Sequence, residues 1–139
     1  VTDLTKRTSP EVGLDATSAQ RCRFVPELQA GVSLAKGDAC YVDSNSRAQK
    51  AVSTVIGATG SHLAESKFDG IVAEDFISGS FGVTLYGAGA IVGYAASGLT
   101  VGAHYYVSNT AGKIQDAMQG ATDRPIAKAI SATDILILR

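Results

Sequence analysis

The chain is 139 residues long, carries a formal net charge of −1, and is 45% apolar but only 18% charged. That length suits one domain able to bury a core without metals or many disulfides, and the low charge excludes a disordered tail. A pI of about 6.1, with no basic stripe, gives phosphate-driven nucleic-acid binding no electrostatic footing.

Residues 1–20 read as an extended N-terminal arm. They are rich in Thr, Ser, Asp and Lys, and contain Pro10 and Gly13. Apolar residues recur only at Leu4, Val12 and Leu14. Such a terminus either stays floppy or orders on a neighbouring subunit. The first 23 residues hold the cations Lys6, Arg7, Arg21 and Arg23 against Asp3, Glu11 and Asp15. No apolar stretch of a secretory signal is visible there.

From residue 21 to residue 139 the pattern is that of a single β domain. Cys22 to Val25 reads as a short strand stopped by Pro26. Gly37-Asp38 signals a turn, Ala39 to Val42 a strand, Ser44-Asn45-Ser46 a turn, and Arg47 to Val52 the returning hairpin strand. Residues 60–67 fit either a short helix capped by Ser61 or a surface loop. Further strands are expected from Phe68, at Gly82 to Gly87, Ala90 to Ala95, His104 to Ser108, Lys113 to Ala117, Pro125 to Ser131 and Ile135 to Arg139. A turn is expected at Asn109 to Gly112 and another near Thr133-Asp134. Short strands at intervals of roughly 8–12 residues predict an all-β fold, a small barrel or sandwich of antiparallel strands.

An internal echo supports that class. Leu34, Gly37, Tyr41 and Val42 recur as Leu99, Gly102, Tyr106 and Val107, each 65 positions later. Segments 34–45 and 99–110 therefore read as a repeated hairpin unit. Phe76 to Ala96 lacks formal charge over 21 residues, about the length of a membrane span. Its glycines, at 79, 82, 87, 89 and 93, suit strands and turns rather than a lipid-facing helix.

Chemistry is hard to find. His62 and His104 lie far in sequence from metal-ligand spacing, so no metal or cofactor is expected. Gly87 to Gly93 has one residue too many for a dinucleotide fingerprint and reads as a turn. Glu74 and Asp75 are sequential, and neighbours on a strand point to opposite faces. The five tyrosines, Tyr41, Tyr86, Tyr94, Tyr105 and Tyr106, read as cross-strand packing, with a sugar-binding platform as the alternative. Cys22 and Cys40 read as two buried thiols, with a disulfide as the alternative.

Several stretches together resemble tailed-phage capsid decoration (cement) proteins. They are Gly70-Ile-Val-Ala73, Gly82-Val-Thr-Leu85, Gly98-Leu-Thr-Val-Gly-Ala-His-Tyr-Tyr-Val-Ser108 and Pro125-Ile-Ala-Lys-Ala-Ile-Ser-Ala-Thr-Asp-Ile-Leu-Ile137, preceded by the segment from Gln29 to Val52. The resemblance covers roughly residues 29–139. It implies a non-enzymatic virion protein, made in the host cytoplasm, that binds the major capsid protein from outside and bridges capsomers. It also implies a homo-oligomer, a trimer before a dimer, with no nucleic-acid or membrane partner. On that reading Lys6, Arg7, Arg21 and Arg23 pair with acidic capsid patches while Leu4, Val12 and Leu14 fill apolar dimples. The alternative is a receptor- or glycan-binding fibre module of a phage.

Overall fold

The computed structural model describes residues 3–6, 13–14, 22–24, 28–53, 55–56, 61–62, 68–118 and 124–138. Among them the chain is all-β, with no helix. Its strands are β1 (Gly13–Leu14), β2 (Cys22–Phe24), β3 (Gln29–Ala30), β4 (Ala39–Val42), β5 (Arg47–Lys50), β6 (Val55–Ile56) and β7 (Ser61–His62). They continue with β8 (Gly70–Val72), β9 (Thr84–Tyr86), β10 (Ile91–Gly93), β11 (His104–Val107), β12 (Ile114–Gln115), β13 (Ala127–Ala129) and β14 (Asp134–Ile137). Two six-stranded sheets run β2-β9-β8-β4-β5-β3 and β1-β10-β14-β13-β11-β12, and β6 pairs with β7 alone. Every pair is antiparallel except β3 with β5.

The echo read from four residues extends through the pairing of both sheets. The pair Ala39↔Ile71 has its counterpart in His104↔Lys128. Ile71↔Tyr86 corresponds to Lys128↔Leu136, and Cys22↔Tyr86 to Ile91↔Leu136. Tyr41↔Gln49 corresponds to Tyr106↔Gln115. The turns match as well. Gly37 donates to the Val72 carbonyl at 2.9 Å and Gly102 to that of Ala129 at 2.8 Å. Strands β2, β4, β5, β8 and β9 thus form one unit, and β10 to β14 form a second copy of its topology.

The units stack front to back. Alternation along a strand sends successive side chains to opposite faces. In the first unit Leu34, Cys40, Ala48, Val72 and Leu85 face inward, into a cluster completed by Leu28, Ala30, Val83 and Phe76. The bridge Gln29↔Phe81 and the bond from Val83 N–H to the Leu28 carbonyl (3.2 Å) curl this sheet into a half-barrel around that cluster. Its outer face, with Ala39, Ile71, Ala73 and Tyr86, packs into the larger core. Because both faces are covered, Gly70–Val72 is buried throughout. The other side of that core is the inner face of the second unit, with Leu99, Tyr105, Ile114, Ala129 and Ile135.

One sequence expectation is corrected here. Ser61 lies in β7 opposite Ile56, so it heads no helix; residues 63–67 lie outside the described residues. The turn expected near Thr133-Asp134 is present at residues 130–133, and β14 begins at Asp134. The uncharged stretch from Phe76 to Ala103 is divided: Val83, Leu85, Tyr86, Ala90, Val92, Tyr94 and Ala95 are buried, whereas Ile77, Phe81 and Val101 are exposed.

The repeat also isolates a strained residue. Ser46, in the β4–β5 turn, has φ 58°, and the residue at the matching place in the β11–β12 turn is Gly112, with φ 80°. The turn is held by Asp43, whose carboxylate accepts from the N–H groups of Asn45 (2.9 Å) and Arg47 (3.0 Å). A left-handed conformation costs an L-residue about 1 kcal/mol, and glycine removes that cost. Ser46→Gly is therefore expected to raise stability by a few tenths to about 1 kcal/mol, read as a higher denaturation midpoint. Gly112→Ser should do the reverse, since a Cβ there meets Asp38 Cγ and Lys50 Cδ at 3.3 Å.

Candidate functional site

The start of the chain is strapped across the seam between the two units. Asp3 bridges to Gln115, and Leu4 N–H donates to the Ile114 carbonyl at 2.8 Å. The segment after β3 makes a similar bond in the first unit, where Gly31 N–H donates to the Ala48 carbonyl at 2.9 Å, although β3 runs parallel to its partner and Asp3 pairs antiparallel. Leu4 packs against the large core. Two residues on, Lys6 Nζ reaches Asp38 Oδ1 at 3.1 Å and the Lys36 carbonyl at 2.8 Å, both in the first unit. Lys50 approaches Asp38 Oδ2 at 3.8 Å. Asp38 also accepts from Ala35 N–H at 2.9 Å, so its buried carboxylate is paired on both oxygens.

Around this seam the buried polar groups are satisfied locally. Ser108 donates to Asp3 Oδ1 and accepts from Thr110 N–H at 2.9 Å. Gln115 donates to the Ala117 carbonyl at 2.8 Å and accepts from Asn109 N–H. Tyr94 differs. It is fully buried, and its hydroxyl has no hydrogen-bond partner among the described residues. Burial pushes its ionisation upward, and the charges of Asp38 and Asp3 add to the effect. An unmade bond in the interior costs roughly 1–3 kcal/mol. Tyr94→Phe is expected to leave stability unchanged or raise it by about 1 kcal/mol in chemical denaturation.

The residues singled out for capsid contact are divided by the structure. Leu4 and Lys6 are engaged on the body of their own chain. Leu14 lies in β1 opposite Val92, and Arg23 in β2 opposite Leu85. Arg7, Val12 and Arg21 lie outside the described residues. What sequence reading missed is Asp38, taken only as part of a turn, and the docking of residues 3–6. A lone lysine and leucine in a polar segment give no signal of their distant partners.

Little in the geometry suggests chemistry. Cys40 is a free, buried thiol that donates to the Asp38 carbonyl; burial and the Asp38 charge push its ionisation far up, so it is no nucleophile. His104 is exposed, and its cross-strand neighbour is Lys128 rather than a carboxylate. Asp75 accepts from Lys36 N–H at 2.7 Å, which fastens the loop after β8. Among the described residues no group of three or more His, Cys, Asp or Glu gathers as metal ligands. Nor is any helix there long and apolar enough to cross a membrane. Tyr86, Tyr94 and Tyr105 are core residues, whereas Tyr41 and Tyr106 are half-buried.

Two surface regions stand out instead. Ile77 and Phe81, 77% and 66% exposed, flank a turn in the long β8–β9 loop that closes the half-barrel. Val32 adjoins them through the contact of Ser78 with Gly31 and Ser33. At the far end of the stack, the outer face of the second unit presents Ile91, Tyr106, Ile130 and Leu136 beside His104 and Lys128. A cleft of about 280 Å³ runs beside the strap, lined by Asp3, Leu4, Ser97, Leu99, Thr100 and Asp116 among others. No family model, no curated protein and no solved structure matches this chain.

Proposed function

We propose that this chain is a viral structural protein that binds the outside of a phage capsid and stabilises it by bridging neighbouring capsomers, with no catalysis of its own. The observation that carries the reading is the stack of two β units strapped by the chain start, a stiff body with exposed apolar residues on the loop that closes the first unit and on the outer face of the second. The sequence resemblance over residues 29–139 supplies the capsid context. A body of this kind bears load because its strands, core and strap must give way together.

In this account Leu4 and Lys6 anchor the arm, and Arg7, Val12, Leu14, Arg21 and Arg23 make the capsid contact. Several arms on one oligomer act together, and avidity exceeds single-site affinity by about 10²–10⁴-fold. Co-sedimentation with empty phage shells tests the proposal. The full chain should pellet with shells, and reversing Arg7 and Arg21 to glutamate should weaken binding while leaving the body folded. Shells that never retain the full chain at any salt concentration would refute the function. Shells that retain the double variant as tightly as the parent would refute the arm mechanism.

A further inference from the structure

We propose that copies of this chain associate head to tail, the outer face of the second unit in one copy seating on the Val32, Ile77 and Phe81 patch of the next. The first unit covers its outer face, Ala39, Ile71, Ala73 and Tyr86, by placing it on the inner face of the second unit. The same register positions in the second unit are His104, Lys128, Ile130 and Leu136, and no strand among the described residues is stacked on them in that way. Ile130 is 40% exposed where its counterpart Ala73 is buried. The contact between units is heterologous, outer face to inner side, so its continuation calls for the inner side of another first unit.

That inner side is present on every copy, closed by the β8–β9 loop. The loop spans residues 73–83, against the four-residue turn 130–133 of the second unit, and it displays two large, strongly exposed apolar side chains, Ile77 and Phe81. Charge fits the same pairing. Lys128 and His104 lie on the outer face, and Glu74 and Asp75 lie at the start of the loop. Asp134 lies on the outer face and Arg47 lines the cleft beside Ser78 and Gly79. A head-to-tail contact of this sort closes into a ring if the rotation permits. The occupant is thus a second copy of this chain, and the inference stands whether or not the partner of the assembled protein is a capsid.

Sedimentation velocity on the full chain tests it. The parent protein should sediment as an oligomer at about 100 μM. A chain with Leu136→Glu, and another with Ile77→Asp and Phe81→Asp, should each sediment as a monomer. Mixed together, they should form a 1:1 dimer and nothing larger, because each keeps one intact surface. Lys128→Glu, a change at an exposed site that leaves the core untouched, should weaken association by about tenfold. A monomeric parent, a variant that still assembles like the parent, or a mixture that stays monomeric would each overturn the proposal.

Discussion

Ile71→Ala is expected to lower the unfolding free energy by about 3–4 kcal/mol, while Lys128→Ala, at the same place in the repeat, changes it by less than about 0.5 kcal/mol. Ile71 has no exposed surface and sits in β8 between Ala39 of β4 and Tyr86 of β9. Its side chain fills the contact between the two stacked units. Removing three carbons there leaves a void, and a strand buried on both faces has little room to collapse into it. Lys128 occupies the matching register position, opposite His104 and Leu136, on a face open to solvent. Guanidinium chloride titration of both variants checks the pair. If the stack is one cooperative body, Ile71→Ala lowers the midpoint without splitting the transition. A similar loss in both variants would mean that the two faces are equally buried, and the front-to-back arrangement would fail.

Asp38→Ala should cost about 2–3 kcal/mol. The carboxylate is buried and joins Lys6, Lys50 and the backbone N–H of Ala35. Without it, two ammonium groups face each other near Gly112, and the Lys6 head keeps only the Lys36 carbonyl. The figure sits below that of a fully buried pair because the Lys50 side chain is 38% exposed and water screens its charge. The strap should loosen in step. Amide exchange at Leu4, protected by its bond to Ile114, is expected to accelerate in the variant more than exchange in β8. Lys6→Met should recover part of the stability of the Asp38→Ala background, because the unpaired cation is then gone. Failure of that rescue would show that the ion pair does not hold the strap.

How much of this was visible in the chain follows from how local each determinant is. The limits Ala39–Val42 coincide with the expected strand, and His104–Val107 falls one residue short of it. Glycine at a left-handed turn position and an alternating strand behind it are short-range signals. The repeat in Leu34, Gly37, Tyr41 and Val42 is equally local, and it pointed to the duplication. By contrast β1, β3, β6 and β7 are two residues long. They exist only because a partner strand supplies carbonyls and N–H groups at the right spacing, and nothing within two residues announces that partner.

The sequence by itself determined the class of the fold, the place of most turns and the existence of a repeated hairpin, because backbone sterics and the period of two act over a few residues. Only the tertiary structure decided which faces the two units turn toward each other, and so why Ile71 is buried while Lys128 is wet. It also decided that Lys6 closes a buried ion pair instead of reaching away from the body. Those outcomes depend on burial and charge pairing across 30 or more positions of chain, where the energy lies in contacts that no local pattern encodes.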